Sequence, residues 1–284
     1  MVAVRRRAVL PVVATFILLA GCQPDGQVAP AATTPVTPVA PVTTSSPTGT
    51  PSPPPPPSTS SSSAKPPSSG IVVVLDPGHN GANAKNPAEI NRLVPAGRGQ
   101  TKACNTTGTS TNAGYPEHAF TFDVAKRVGA ELEANGIKVV YTRDNDSGVG
   151  PCVDKRAEIG NAANATAVVS IHGDGSNSAG AHGFHVETSS PPLNAEQGAP
   201  TTKLATVLRD GIRAKGFTTA NYIGQNGLFP RPDLGGLNLS TRPAALIECG
   251  NMRDAADAAT MSSADGRQRY ADAIAAAIET YVGA

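Results

Sequence analysis

Between Ile71 and Ala284 short apolar runs alternate with longer segments of helical period, and no other property of the chain limits its fold so tightly. Ile71 to Leu75 reads as a buried strand closed by Pro77-Gly78. A loop rich in Gly, Asn and Thr leads to a helix over 114–136. Pro116 suits its first turn, Val124, Val128 and Leu132 mark one face, and Asn135-Gly136 ends it. Strands follow at IKVVYTR (137–143), AVVSIH (167–172), GFHVET (183–188) and AALIECG (244–250). Helices fall at 152–165, at 201–215 with Leu204, Val207, Leu208 and Ile212 on one side, and at the C-terminus with Tyr270, Ile274, Ile278 and Tyr281. Strands alternating with helices predict an α/β fold, a single domain with a mainly parallel mixed sheet flanked by helices on both faces. GFHVET follows its predecessor without a helix between them, so it is free to pair antiparallel.

The first 69 residues cannot join that domain. Arg5, Arg6 and Arg7 precede an apolar run from Ala8 to Ala20, which suits the core of a signal peptide and falls short of the ~20 residues a membrane-spanning helix needs. The stretch LLAGC, ending at Cys22, resembles a bacterial lipobox. Residues 1–21 are therefore expected to be removed and Cys22 to become a lipidated first residue, tying the chain to a membrane. From Gln23 to Ser69 almost every residue is Pro, Thr, Ser, Ala or Val. Such a stretch cannot bury enough apolar area to offset the entropy of ordering it. Residues 22–69 read as a lipid-anchored tether and 70–284 as the folded domain.

A net charge of +1 leaves no footprint for nucleic acid, and 4% aromatic residues with no Trp speak against an aromatic-lined sugar cleft. Export would put Cys104, Cys152 and Cys249 in an oxidising compartment. In parallel sheets ligands sit beyond the carboxyl ends of the strands. There this chain puts His79, just past its first strand, His172, at the end of AVVSIH, and Glu248, near the end of AALIECG. Two histidines and a carboxylate are a ligand set of catalytic zinc. Glu117, opening its helix, is a further candidate, so one carboxylate is left over. Hydrolysis needs that spare, because some group must move the proton of the attacking water. Of the other histidines, His118 points about 100° away from Glu117 on the same helix, and His185 is a better spare ligand than His182. Each histidine taken singly is equally explained as a hydrogen-bonded structural residue.

Five stretches carry a resemblance. VLDPGHNG (74–81), YPEHAF (115–120), VVYTRDND (139–146), KRAEIGNAANATAVVSIHGDG (155–175) and ALIECGNM (245–252) occur in the order and context of a known family. They resemble the zinc-dependent N-acetylmuramoyl-L-alanine amidases of the amidase-3 type, in particular the compact actinobacterial members, over essentially all of 71–284. The resemblance implies one zinc ion per chain on His79, Glu117 and His172, with Glu248 as the catalytic carboxylate. It implies hydrolysis of the amide joining the lactyl group of N-acetylmuramic acid to L-alanine in peptidoglycan. A monomer is expected, working in cell-wall remodelling at the outer face of the cell membrane. Two departures stand out: Cys249-Gly250-Asn251-Met252 replaces a bulkier glycine–phenylalanine stretch, and Gly173 stands where many relatives have alanine.

Arg143 and Arg156 are candidates to orient a peptide carboxylate, a structural ion pair being the preferred reading for each. A disulfide between Cys104 and Cys152 is expected, because both lie in loops rich in Gly, Asn or Pro, whereas Cys249 adjoins Glu248 on a buried strand and Cys22 carries lipid. Two rival readings use the same residues: a zinc peptidase cutting stem-peptide bonds, and an inactive wall-binding lipoprotein. The second is weakened because all four site positions are intact.

Overall fold

A computed structural model describes residues 70–284. The expected signal peptide (1–21), lipidated Cys22 and tether (22–69) lie outside the described residues. In chain order the elements are β1 (Val72–Pro77), α1 (Pro87–Ile90), β2 (Leu93–Pro95), β3 (Thr101–Ala103), α2 (Glu117–Ala134), β4 (Lys138–Tyr141), α3 (Val153–Ala162) and β5 (Ala167–Asp174). They continue with β6 (His185–Ser189), α4 (Ala199–Ala214), β7 (Leu228–Arg231), α5 (Gly235–Asn238), β8 (Ala244–Asn251), α6 (Ala255–Ser262) and α7 (Ala264–Val282).

Six strands form one mixed, mainly parallel sheet in the order β4-β1-β5-β8-β6-β7. β4, β1, β5 and β8 run parallel. β6 joins β8 antiparallel, as its missing crossover helix allowed, and β7 lies parallel to β6. Because β6 runs the other way, its first residue, His185, meets the carboxyl end of β8 opposite Glu248.

Alternation along the strands divides the side chains between two faces. One face carries Val73, Leu75, Val169, Ile171, Ala245 and Ile247 and is covered by α2, α4 and α7 through Val124, Val128, Leu132, Leu204, Leu208, Ile212, Ile274 and Ile278. Each fully buried Leu or Ile of this layer contributes about 1.5–3 kcal/mol. Tyr270 fills the centre, stacked on Phe217 at 4.1 Å and edge-on to Phe120. The other face carries Val74, Val168, Ala244 and Leu246, covered by Ile159 and Ala163 beside α3 and Leu237 of α5.

Local expectations hold with small shifts of boundary. Pro116 precedes α2 as its cap rather than sitting in its first turn. Beyond Asn135 the chain turns at Gly136, at φ 77°, a conformation glycine adopts without steric cost. Five features went unread in the sequence: edge strand β7, the two-stranded β2–β3 hairpin, and the helices α1, α5 and α6. They are short and have no helical or strand period of their own. Among the described residues no helix is long and apolar enough to cross a membrane.

Candidate metal centre and active site

β1 ends at Pro77, and the chain turns at once through Gly78 to His79, which adopts the left-handed conformation at φ 59°. Gly78 is required by proximity: a Cβ there would lie 2.3 Å from Cε1 of His172. The turn is held from behind. Arg143 donates to the carbonyls of Pro77 and Gly78, and Arg156 to those of Pro77 and His79. Both arginines are 5% exposed. Arg156 pairs with Asp76 at 2.7 Å and Arg143 with Asp146 at 3.0 Å. They are buried structural cations, which is the reading preferred from sequence.

His79, Glu117 and His172 come together, their ligand atoms all within 4.8 Å of one another. Oε1 of Glu117 lies 3.0 Å from Nε2 of His79 and 2.9 Å from Nδ1 of His172. Ligands ~2.0 Å from a tetrahedral ion are roughly 3.3 Å apart, so the two Glu117–histidine separations need widen only slightly to admit an ion. The ring of His79 is oriented by its other nitrogen. Nδ1 donates to the carbonyl of Thr106 at 3.1 Å, leaving Nε2 facing the cluster, where it would ligate an ion once deprotonated. Glu117 heads α2, where the helix dipole favours a carboxylate. Its Oε2 accepts from the backbone N–H of Thr109 at 2.8 Å and its Oε1 from that of Gly173 at 3.1 Å. Gly108, at φ 79°, lets the loop pass over the group, since a Cβ would lie 2.8 Å from Oε2 of Glu117. Burial alone would raise the Glu117 carboxyl, but His79 and His172 outweigh it and hold it well below the usual range. Burial lowers and Glu117 raises His79, with a net upward shift. This donor set fits a divalent cation, which would take the place of protons on the imidazoles.

Glu248 is the Cα partner of His172 across the β5–β8 pairing and of His185 across β8–β6. Its Oε2 is buried without a hydrogen-bond partner. Burial, then the carboxylates of Glu117, Glu187 and Asp174, push its pKa well above the ordinary value. His185 stands outside the cluster of three: its Nε2 faces Oε1 of Glu187 at 3.2 Å, and Glu187 is itself held by Arg231 at 2.9 Å. His118 turns to Asp146 at 2.7 Å, and His182 is bound to a neighbouring carbonyl at the surface. A mainly apolar cavity of about 180 Å³ between the sheet, α3 and α5 reaches up to His79 and His172.

Cys104 and Cys152 form the expected disulfide, and Cys249 is a buried free thiol. Gly173 is packed against two methionines. A Cβ on Gly173 would lie 3.3 Å from Sδ of Met252 and 2.5 Å from Cε of Met261, so the methionines occupy the space that an alanine would need. Tyr222, whose hydroxyl donates to Asp174 at 2.6 Å, and Arg253, beyond the end of β8, also line this edge. Neither carried a motif that spacing alone could single out.

Residues 73–280 match the family model described as N-acetylmuramoyl-L-alanine amidase, Amidase_3. The chain is 52% identical over 204 residues to the N-acetylmuramoyl-L-alanine amidase Rv3717 of Mycobacterium tuberculosis, covering 72% of this chain and 83% of that one. Among solved structures it resembles the N-acetylmuramyl-L-alanine amidase Ami1 of Mycobacterium smegmatis, at 52% identity and a TM-score of 0.73, over 75% of this chain and 97% of that one. The amidase AmiC2 of Nostoc punctiforme is similar at 26% identity and a TM-score of 0.58, over 75% and 98% of the two chains. The chain thus belongs to the amidase-3 family and is an N-acetylmuramoyl-L-alanine amidase that hydrolyses peptidoglycan.

Proposed function

We propose that this amidase binds one zinc ion on His79, Glu117 and His172, and that Glu248 moves the proton in hydrolysis. The observation that carries the reading is a two-histidine, one-carboxylate cluster with an unpartnered buried carboxyl oxygen on the neighbouring strand. Glu117 is committed to two imidazoles and two backbone N–H groups. Of the two acids, Glu248 alone has an oxygen to spare. A zinc ion bound here supplies Lewis acidity, polarising a carbonyl and acidifying a water. Glu248 takes a proton from the attacking water and returns it to the nitrogen of L-alanine as the C–N bond to the lactyl carbonyl breaks. Burial and the surrounding carboxylates raise the affinity of Glu248 for the proton it holds between the two steps. The products are a lactyl carboxylate and a stem peptide with a free amino terminus.

A cell-wall amidase with a disulfide works outside the cytoplasm. In our reading residues 1–21 direct export, Cys22 bears the lipid, 22–69 form the tether, and the monomeric domain of 70–284 acts from the outer face of the membrane. LLAGC and the Pro/Ser/Thr-rich composition support it. Metal analysis joined to mass spectrometry of products from purified peptidoglycan tests the chemistry. About one zinc per chain and intact peptides beginning with L-alanine are expected. Shortened peptides with the lactyl amide uncut would identify a peptidase instead.

A further inference from the structure

Past the His172–Glu248 pair the sheet edge continues into a polar cleft of about 260 Å³, lined among others by Asn112, Ser176, Asn251 and Arg253. The cleft is part of the same edge. Asp174 and Asn251 pair in the β5–β8 register beyond His172 and Glu248, and the N–H of Met252 donates to the carbonyl of Asp174 at 2.7 Å. Its opposite wall is the loop whose Thr109 holds Glu117, three residues before Asn112.

Arg253 is the one cationic residue lining this cleft, and it makes no ion pair among the described residues. Its Nε is buried without a partner, and Nη1 has only the amide oxygen of Asn112 at 3.3 Å. An unsatisfied donor on a guanidinium calls for an acceptor. The acids nearby are already engaged. Asp254 caps α6 through the N–H groups of Ala256 and Asp257. Asp257 accepts from Gly183 and Asn251, and Asp174 from Tyr222 and Gly175. The amide groups of Asn251 are spent on Ser176, Ala181 and the backbone of Arg253. A planar cation is thus left facing a polar cleft, and a guanidinium fork matches a carboxylate.

We propose that Arg253 binds a carboxylate of the stem peptide, the free α-carboxylate of its second residue, and so sets a preference for the acid over its carboxamide. This deepens the amidase reading and rests on it. The reach agrees. Two strand steps lead from His172 to Asp174, roughly 7 Å at ~3.3 Å per residue; Arg253 follows Met252, whose N–H meets the Asp174 carbonyl, and an extended peptide carries its second residue about as far from the cleaved amide. That residue is a glutamate joined through its γ-carboxyl, which leaves its α-carboxyl either free or amidated.

The test uses the zinc-loaded protein and two soluble muramyl peptides differing only in that α-carboxyl, acid or carboxamide. Wild type should cleave both and prefer the acid. Arg253→Gln should lower kcat/KM for the acid about 10–100-fold, mainly through KM, the range for a charge-assisted hydrogen bond, and that for the carboxamide far less. Arg253→Lys should keep part of the preference. The wild-type preference should also shrink between low salt and ~1 M NaCl, as exposed charges are screened. That arm decides alone if the glutamine variant melts early. Equal losses on both peptides, or a wild-type preference for the carboxamide, would overturn the assignment. Failure of wild type to cleave either peptide would instead overturn the amidase reading beneath it.

Discussion

His79 at φ 59° carries a strain that its surroundings must offset, since the left-handed region costs a non-glycine residue about 1–2 kcal/mol. Arg143 and Arg156 supply the opposing force by gripping the carbonyls on either side. Asp76 anchors that grip. Burial would raise its carboxyl, but Arg156, Ser170 and Thr142 hold it down at about 2. A folded-state pKa below the unfolded value near 3.9 stabilises the fold above pH ~4, by roughly 2 kcal/mol, and that stability is lost as pH falls through about 2. Unfolding measured from pH 5 to 2 should show this loss, and Asp76→Asn should flatten it. At the site itself, Glu248→Gln should keep its zinc and lose at least the ~10²–10⁴-fold typical of general acid–base catalysis. His79→Ala, Glu117→Ala and His172→Ala should lose zinc together with activity. Zinc stoichiometry and amide hydrolysis on the four variants check the assignment. If Glu248→Gln loses metal while Glu117→Ala keeps it, the two glutamates have exchanged roles. Sequence put Glu248 near a strand end and Glu117 at the start of a helix, and without the family resemblance it left their roles open. The choice depends on which oxygens are already bonded, and those bonds come from the backbone N–H groups of Thr109 and Gly173, which no side-chain pattern reports.

Among the elements, the disulfide has the widest reach. Cys104 leads into the loop whose Thr106 orients His79, and Cys152 caps α3, whose Arg156 holds the His79 turn. One bond therefore ties together two supports of the same ligand. The cysteines are 48 residues apart, and closing a loop of that size is worth about 2–4 kcal/mol. Replacing both by serine should lower the melting temperature and weaken zinc binding, read by titration with a competing chelator. Unchanged zinc affinity would show that the loop orients itself without the bond. The cysteine pairing was legible by elimination, because Cys249 sits on a buried strand. The β2–β3 hairpin was not, since its three-residue strands leave too few positions for a period to register. Its contacts are also made far away in sequence: Arg98 donates to Ser189 and to the carbonyls of Pro191 and Pro232.

For the molecule as a whole, the proposed anchor makes a separable forecast. Cys22→Ser should release the protein from the membrane fraction or stall its processing, because the tether offers no apolar segment of its own. A variant that stays membrane-bound at wild-type levels after a salt wash would refute the lipid anchor. Domain-scale order follows from the sequence because it is written in near neighbours. Apolar runs with a period of two or near four choose strand or helix, and the lack of a helix before GFHVET allows its antiparallel pairing. The delivery of His79, His172 and Glu248 to one sheet edge follows as well, since each lies close to the carboxyl end of a strand. Tertiary structure alone decided how those residues divide the work. Glu117 meets His79 and His172 because α2 packs across β1 and β5, while Glu248 keeps an unbonded oxygen because its neighbour His185 turns to Glu187 instead. Periodicity is a property of adjacent residues, whereas a ligand or a base is defined by the distances between remote ones, and only the folded chain sets those.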